Sequence, residues 1–134
     1  DILEVEISSD EWQSMFRRSP NRSVAAILMD QDVMAGIGNY LKSEICYIAR
    51  ILPYRLSNSL SYSELESLRI AAHTTIRESY SYGGLTIKSF WSPDGRAGIY
   101  PNRIYNKNFD PEGRPVSYGK LGGRGTYWVP GFQV

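Results

Sequence analysis

The sequence predicts a mainly α-helical protein with a small antiparallel β module towards its C-terminal end. Three observations carry that expectation. Up to Gly83-Gly84, apolar residues return at spacings of three and four, behind Ser–Glu pairs suited to helix starts. From Leu85 onward Gly, Pro, Asn and Asp interrupt the chain every few residues, and the runs between them are short and rich in Tyr, Ile, Val and Trp. A hydrophobic fraction of 42% against 22% charged, over 134 residues, supplies a core for one domain, or for two small ones sharing it. The same values exclude a wholly disordered chain.

Leu3-Glu4-Val5-Glu6-Ile7 alternates with period two, as a short strand or an extended linker does. Ser8 and Glu11 have capping-box spacing, and Trp12, Met15 and Phe16 follow on one helical face. A first helix should therefore run to about Arg18 and stop before Pro20. Val24, Ile27 and Leu28 mark a second short helix ending near Asp30. Gly36 and Gly38 then break the pattern. Asn39 suits an N-cap, and Leu41, Ile45, Ile48 and Ala49 stripe a third helix ahead of Pro53. Ser61 and Glu64 form another capping box for a longer fourth helix lined by Leu65, Leu68, Ala72 and Ile76, which Gly83-Gly84 ends. Ile99-Tyr100, Arg103-Ile104-Tyr105, Pro115-Val116-Ser117-Tyr118 and Thr126-Tyr127-Trp128-Val129 read as short strands. The last two flank Gly119–Gly125, read as a long, flexible, cationic loop.

No apolar run reaches the roughly 18–20 residues of a membrane span, and no basic segment followed by an apolar one opens the chain as a secretory signal does. The first residue is Asp1 rather than Met, which reads as a fragment or a processed product. One cysteine, Cys46, and one histidine, His73, cannot build a disulfide framework or a four-ligand structural zinc site. Charge is uneven along the chain: residues 1–60 sum to −2, whereas residues 85–134 sum to +4. A basic C-terminal third that is also rich in Gly and Tyr suits an anionic partner, or a solvated surface.

Several residues invite a chemical role beside a plain one. Gly36-Ile37-Gly38 lacks the third glycine of a dinucleotide fingerprint, since Leu41 occupies its place. The same glycines ahead of Asn39 suit a phosphate clamp, where backbone approaches an anion at a helix N-terminus, or simply a tight turn. Arg124, among glycines near the hairpin tip, is either a phosphate fork on a narrow finger or an exposed turn arginine. Glu44 is an active-site carboxylate or an intrahelical partner. Cys46 reads as a small core residue and His73 as structural. The Asn21-Arg22-Ser23 sequon is taken as chance. Nothing assembles a nucleophile, a base and an oxyanion hole.

Two stretches together resemble a known family. Leu28-Met29-Asp30-Gln31, Val33, Ala35-Gly36-Ile37-Gly38-Asn39 and Ser43-Glu44, with Pro53 beyond, resemble the helix–two-turn–helix motif of the Fpg/Nei DNA glycosylases. Gly83-Gly84-Leu85-Thr86-Ile87-Lys88, Asp94-Gly95 and Gly98 resemble the segment that follows, and Ile104-Tyr105, Gly113 and Pro115 the entry to a C-terminal finger. Gly123–Gln133 resembles the finger's closing hairpin. The resemblance implies a helix–two-turn–helix bundle over residues 1–90 and a finger over residues 91–134. In most of that family four cysteines of the finger hold zinc. The corresponding positions here are Val116, Gly119, Val129 and Phe132, so the resemblance implies a zincless finger of the eukaryotic and viral Nei-like kind. Val129, Phe132, Trp128 and Tyr118 are then expected to pack in place of the metal. Ala25 stands where bacterial members often carry a lysine, so one phosphate contact is either missing or supplied by Arg22.

The function so implied is that of the DNA-binding half of a base-excision repair glycosylase and abasic-site lyase acting on oxidised bases. The family's N-terminal Pro-Glu pair, its void-filling residues and most of its base pocket have no counterpart here. This stretch is therefore expected to be inactive alone and to lack the catalytic domain. Asn39 and Arg124, with Gly36 and Gly38, are expected to clamp phosphates around a flipped nucleotide. Lys107, Lys120 and Arg96 are weaker backbone contacts, and Glu44 a supporting group near the lesion. The expected partner is double-stranded DNA with a damaged base or abasic site, bound by a monomer wherever the cell keeps its DNA, with no cofactor, metal or membrane involved. Two other classes remain: a noncatalytic helix–two-turn–helix nucleic-acid module, and a protein-interaction domain with a Tyr- and Trp-rich surface.

Overall fold

A computed structural model describes residues 6–30, 37–81 and 102–134. Among these residues four helices form one body: α1 (Ser9–Arg17), α2 (Val24–Met29), α3 (Asn39–Ala49) and α4 (Tyr62–Ser81). A 3₁₀ turn at Ser57–Ser59 precedes α4, and a hairpin of β1 (Ser117–Leu121) and β2 (Arg124–Trp128) follows it. The mainly helical architecture with a small antiparallel module is the one the sequence predicts.

Both predicted serines cap their helices, and Ser61 with Glu64 closes the full reciprocal box. Ser8 Oγ accepts from the Glu11 N–H, while Ser61 and Glu64 satisfy each other's backbone N–H groups at 3.1 and 2.9 Å. Trp12, Phe16, Ile27, Leu28, Leu41, Ile45, Leu65, Leu68 and Ile76 meet in one core at 2% exposure or less. α3 lies at its centre. Residues 41–47 are all buried, because α2 and α4 cover one side of that helix and the hairpin covers the other. α3 ends on Arg50 in the left-handed conformation (φ 61°), with the Ile51 N–H closing on the Cys46 carbonyl. The Arg50 guanidinium lies 4.4 Å from the centre of the Phe132 ring, and that of Arg114 lies 4.3 Å from it.

Three local expectations fail, the first two for reasons that lie far along the chain. Gly38, not Asn39, is the N-cap of α3, and Asn39 is the first helical residue. Its side chain is drawn instead to Gly125, 86 residues away. Arg103-Ile104-Tyr105 is no strand; its backbone curls around the Glu44 carboxylate. The long loop over Gly119–Gly125 is a two-residue turn, Gly122-Gly123, with Leu121 paired to Arg124 and Lys120 to Gly125. Positive φ at both glycines (59° and 77°) suits the tight turn that two twisted strands require. The expected Ile99-Tyr100 strand, the Gly83-Gly84 helix stop and most of Leu3–Ile7 fall outside the described residues.

The finger packs without metal ligands. Val116, Gly119, Val129 and Phe132 offer no donor atom, and among the described residues no three His, Cys, Asp or Glu side chains gather. Val129 is buried with Tyr47 and Ile104, flanked by Val116, Tyr127 and Phe132. Gly119 makes room for Trp128: a Cβ there would stand 2.9 Å from Cη2 of the ring. The Trp128 ring meets Tyr54 edge-on at 5.6 Å. Tyr118 departs from the expectation, for it is 55% exposed and lies across the strand surface against Tyr127 rather than in the cluster.

Candidate nucleic-acid interface

One face of α3 is polar although buried, and each of its side chains is spent on the finger. Asn39 Nδ2 donates to the Gly125 carbonyl at 3.1 Å, and Lys42 Nζ to Thr126 Oγ1 at 2.7 Å. Ser43 Oγ accepts from the Tyr127 N–H at 3.1 Å. Gly125 and Tyr127 stand opposite Lys120 and Tyr118 of β1 and give a carbonyl and an N–H to α3, so α3 satisfies backbone groups on the outer side of β2.

Glu44, one residue further, is fully buried. Its Oε1 accepts from the Arg103 N–H at 2.8 Å, and its Oε2 from those of Ile104 and Tyr105 at 2.9 and 3.1 Å. Glu44 thus holds the loop that carries Ile104 into the finger's cluster. Tyr47, a turn later, donates to Asp110 at 3.0 Å. Burial together with that bond to a carboxylate pushes the Tyr47 hydroxyl up to about 12. Asp110 also accepts from Arg114 and from the N–H groups of Glu112 and Arg114. Burial alone would raise its pKa, but those donors outweigh it and hold the carboxyl below the usual range. Gln133, buried, links Val129 to the Ile51 carbonyl and closes the finger on the end of α3.

Beside this seam lies a pocket of about 300 Å³ between α2 and the hairpin turn. Arg22, Lys42 and Arg124 line it, with Ala25, Asp30 and Gly122. Arg22 pairs with Asp30 at 2.8 Å. Arg124 is exposed on β2 beside the turn and makes no ion pair among the described residues. Gly38 has open space at its Cα: a Cβ built there meets nothing within 4 Å. The first N–H groups of α3 follow directly, next to Asn39.

The structure therefore brings Gly38, Asn39 and Arg124 to one region. Lys120 is exposed on β1 opposite Gly125, and Lys107 is exposed in the loop after Ile104. Gly36 and Arg96 lie outside the described residues. Lys42 and Ser43 are the residues that sequence reasoning missed. The available signal was a polar run, Lys42-Ser43-Glu44, inside an otherwise apolar helix. His73 is structural as expected: its Nε2 accepts from the Ile7 N–H at 3.2 Å. Cys46 is a fully buried core thiol.

Fold and seam define a class: a helical bundle whose central helix begins under a β-hairpin finger and is bonded to it side chain by side chain. Residues 2–90, more than half of the chain, match the formamidopyrimidine-DNA glycosylase H2TH domain, and the chain belongs to that family. A formamidopyrimidine-DNA glycosylase of Listeria monocytogenes serovar 1/2a is 34% identical over 121 residues, which is 87% of this chain and 44% of the relative. That of Geobacillus kaustophilus is 37% identical over 117 residues, 84% of this chain and 43% of the relative. Among solved structures, the MutM (Fpg) protein of Thermus thermophilus superposes with a TM-score of 0.81 at 31% identity, over 94% of this chain and 50% of that one. A viral DNA glycosylase shares the fold at a TM-score of 0.76 and 24% identity, over 96% of this chain and 47% of that one. The chain thus spans about half the length of the relatives it matches.

Proposed function

We propose that this chain grips the DNA backbone as the helix–two-turn–helix and finger half of a base-excision glycosylase and abasic-site lyase for oxidised bases. The observation that carries this is the convergence of Arg124, Lys42 and Arg22 on one pocket near the start of α3, where a Cβ on Gly38 would meet nothing within 4 Å. Three cationic side chains from separate segments suit consecutive phosphates rather than base edges. Fpg of Lactococcus lactis, which shares this fold at a TM-score of 0.78 and 22% identity, is known in complex with an abasic-site-containing DNA. A damaged or abasic duplex is accordingly the partner, bound by a monomer. Holding the backbone offsets part of the few kcal/mol needed to extrude a nucleotide. Glu44 acts by shaping the loop at 103–105, and any influence on the lesion passes through that loop.

Fluorescence polarisation with a tetrahydrofuran-containing duplex and its undamaged counterpart tests the proposal. Salt-sensitive binding that is weakened in Gly38→Val supports it, because a side chain there fills the space an approaching phosphate needs. Salt-independent binding, or none, rejects it.

A further inference from the structure

Four tyrosine rings run in a row from the start of α3 to the hairpin. Tyr40 meets Tyr105 edge-on with ring centres 5.9 Å apart, Tyr105 meets Tyr127 at 5.2 Å, and Tyr127 meets Tyr118 at 4.9 Å. Tyr118 and Tyr127 are cross-strand partners, and Lys120 pairs with Gly125 two residues on. Side chains alternate along a strand, so Tyr118, Lys120 and Tyr127 share one face of the hairpin, and Leu121, Arg124 and Thr126 share the other. That second face is the one turned to Lys42 and to the pocket beside α2.

The tyrosine face is built as an open shelf. A Cβ on Gly125 would stand 2.8 Å from the Tyr118 hydroxyl oxygen and 3.0 Å from Cε1, so the glycine lets the ring lie down over the strand. Tyr118 is still 55% exposed, the side of its ring away from Gly125 being open to water. Tyr105 and Tyr127 are half-buried behind it. The Tyr127 hydroxyl donates to Asn106 Oδ1 at 2.7 Å, which sets the exposed Lys107 beside one end of the row, and the exposed Lys120 stands at the other. No acidic residue occurs in 103–108 or in 117–128. A ring kept for stability alone gains most by leaving water, as Val129 does. An exposed ring laid over a glycine, continued by further rings and flanked by two cations, meets instead the needs of unpaired bases. Each base finds an aromatic surface, and the backbone between them finds positive charge. Bases inside an intact duplex are stacked on one another and present no such face.

We propose that this face of the hairpin is a stacking platform for single-stranded DNA, with one unpaired base lying on Tyr118 and the flanking phosphates meeting Lys120 and Lys107. It goes beyond the duplex grip, which uses Arg124 on the opposite face, so the two DNA forms meet opposite sides of one finger. Every base has a π-face, so the platform is tolerant of sequence.

Fluorescence polarisation with a labelled oligothymidylate, which forms no duplex, tests the platform in the 134-residue chain. Wild type should bind it in a salt-sensitive manner. Tyr118→Ala, checked for folding by its thermal transition, should bind about tenfold more weakly, the size of one lost base–aromatic stack, and Tyr118→Phe should keep the wild-type affinity. A tetrahydrofuran-containing duplex should bind wild type and Tyr118→Ala equally. Irradiation of a single strand carrying 5-iododeoxyuridine should cross-link it to the peptide that contains Tyr118. Undiminished single-strand affinity in Tyr118→Ala overturns the platform, as does equal weakening for both DNA forms or a cross-link confined to other peptides. A wild-type chain that binds the duplex but not the single strand also overturns it, leaving the grip standing and the tyrosine face to a protein partner. Single-strand binding that depends on Tyr118, in a chain that fails to bind the duplex, supports the platform and overturns the grip.

Discussion

Replacing Glu44 by Gln keeps the size of the side chain and removes the charge around which the 103–105 backbone is folded. The carboxylate serves three N–H donors, one at Oε1 and two at Oε2, over 2.8–3.1 Å. A glutamine has a single carbonyl oxygen. Its better orientation keeps Ile104 and Tyr105 and turns an NH₂ group towards the Arg103 N–H, donor against donor. The two bonds that survive lose their charge assistance. At roughly 1.5–3 kcal/mol per hydrogen bond to a charged group, against 0.5–1.5 for a neutral one, exchanging three of the former for two of the latter costs about 3.5–6 kcal/mol. Arg103 provides the control. Its guanidinium stands 3.7 Å from Glu44 and 3.6 Å from Glu78 and is a third exposed, so Arg103→Ala should cost less than about 1 kcal/mol. Urea denaturation followed by tryptophan fluorescence reads both. A Glu44→Gln midpoint indistinguishable from wild type would refute the idea that this carboxylate organises the finger's entry.

Gly119→Ala places a Cβ 2.9 Å from the Trp128 ring, which is braced by Tyr54, and should destabilise by about 1–2 kcal/mol while altering Trp128 fluorescence. Gly125→Ala meets the Tyr118 hydroxyl at 2.8 Å, but Tyr118 is exposed and free to swing, so its cost in the same denaturation should be smaller. Burial holds His73 below the ordinary histidine value, so its folded state prefers the neutral ring that accepts from Ile7. That contribution is complete above about pH 6.5 and is lost as pH falls through the lower folded value. Stability measured between pH 7 and pH 5 should therefore fall more steeply for wild type than for His73→Gln.

What could be read from the chain was what depends on near neighbours. Ser8 with Glu11, and Ser61 with Glu64, cap helices through contacts three residues apart, and the core faces of α1 and α4 follow from spacing alone. Asn39 failed as a cap because its amide finds Gly125, a partner that no local pattern reveals. The strand expected at Arg103–Tyr105 failed likewise: its backbone donors belong to a carboxylate about sixty residues upstream. Glycine content around Arg124 suggested looseness, whereas positive φ is needed only at Gly122 and Gly123, and Gly119 and Gly125 serve to admit aromatic rings. Lys42 stayed hidden because a lysine in a helix is ordinarily solvated, and only the packed hairpin makes it a buried charge.

The central claim is that α3 and the hairpin act as one grip on DNA phosphates. The salt dependence of duplex affinity in Arg124→Ala, measured beside wild type in a variant shown to keep its thermal transition, tests it most directly. Losing one phosphate contact should lower affinity by at least about 1 kcal/mol and reduce the slope of log K against log salt by about 0.9. Equal affinity and an unchanged slope would contradict the account.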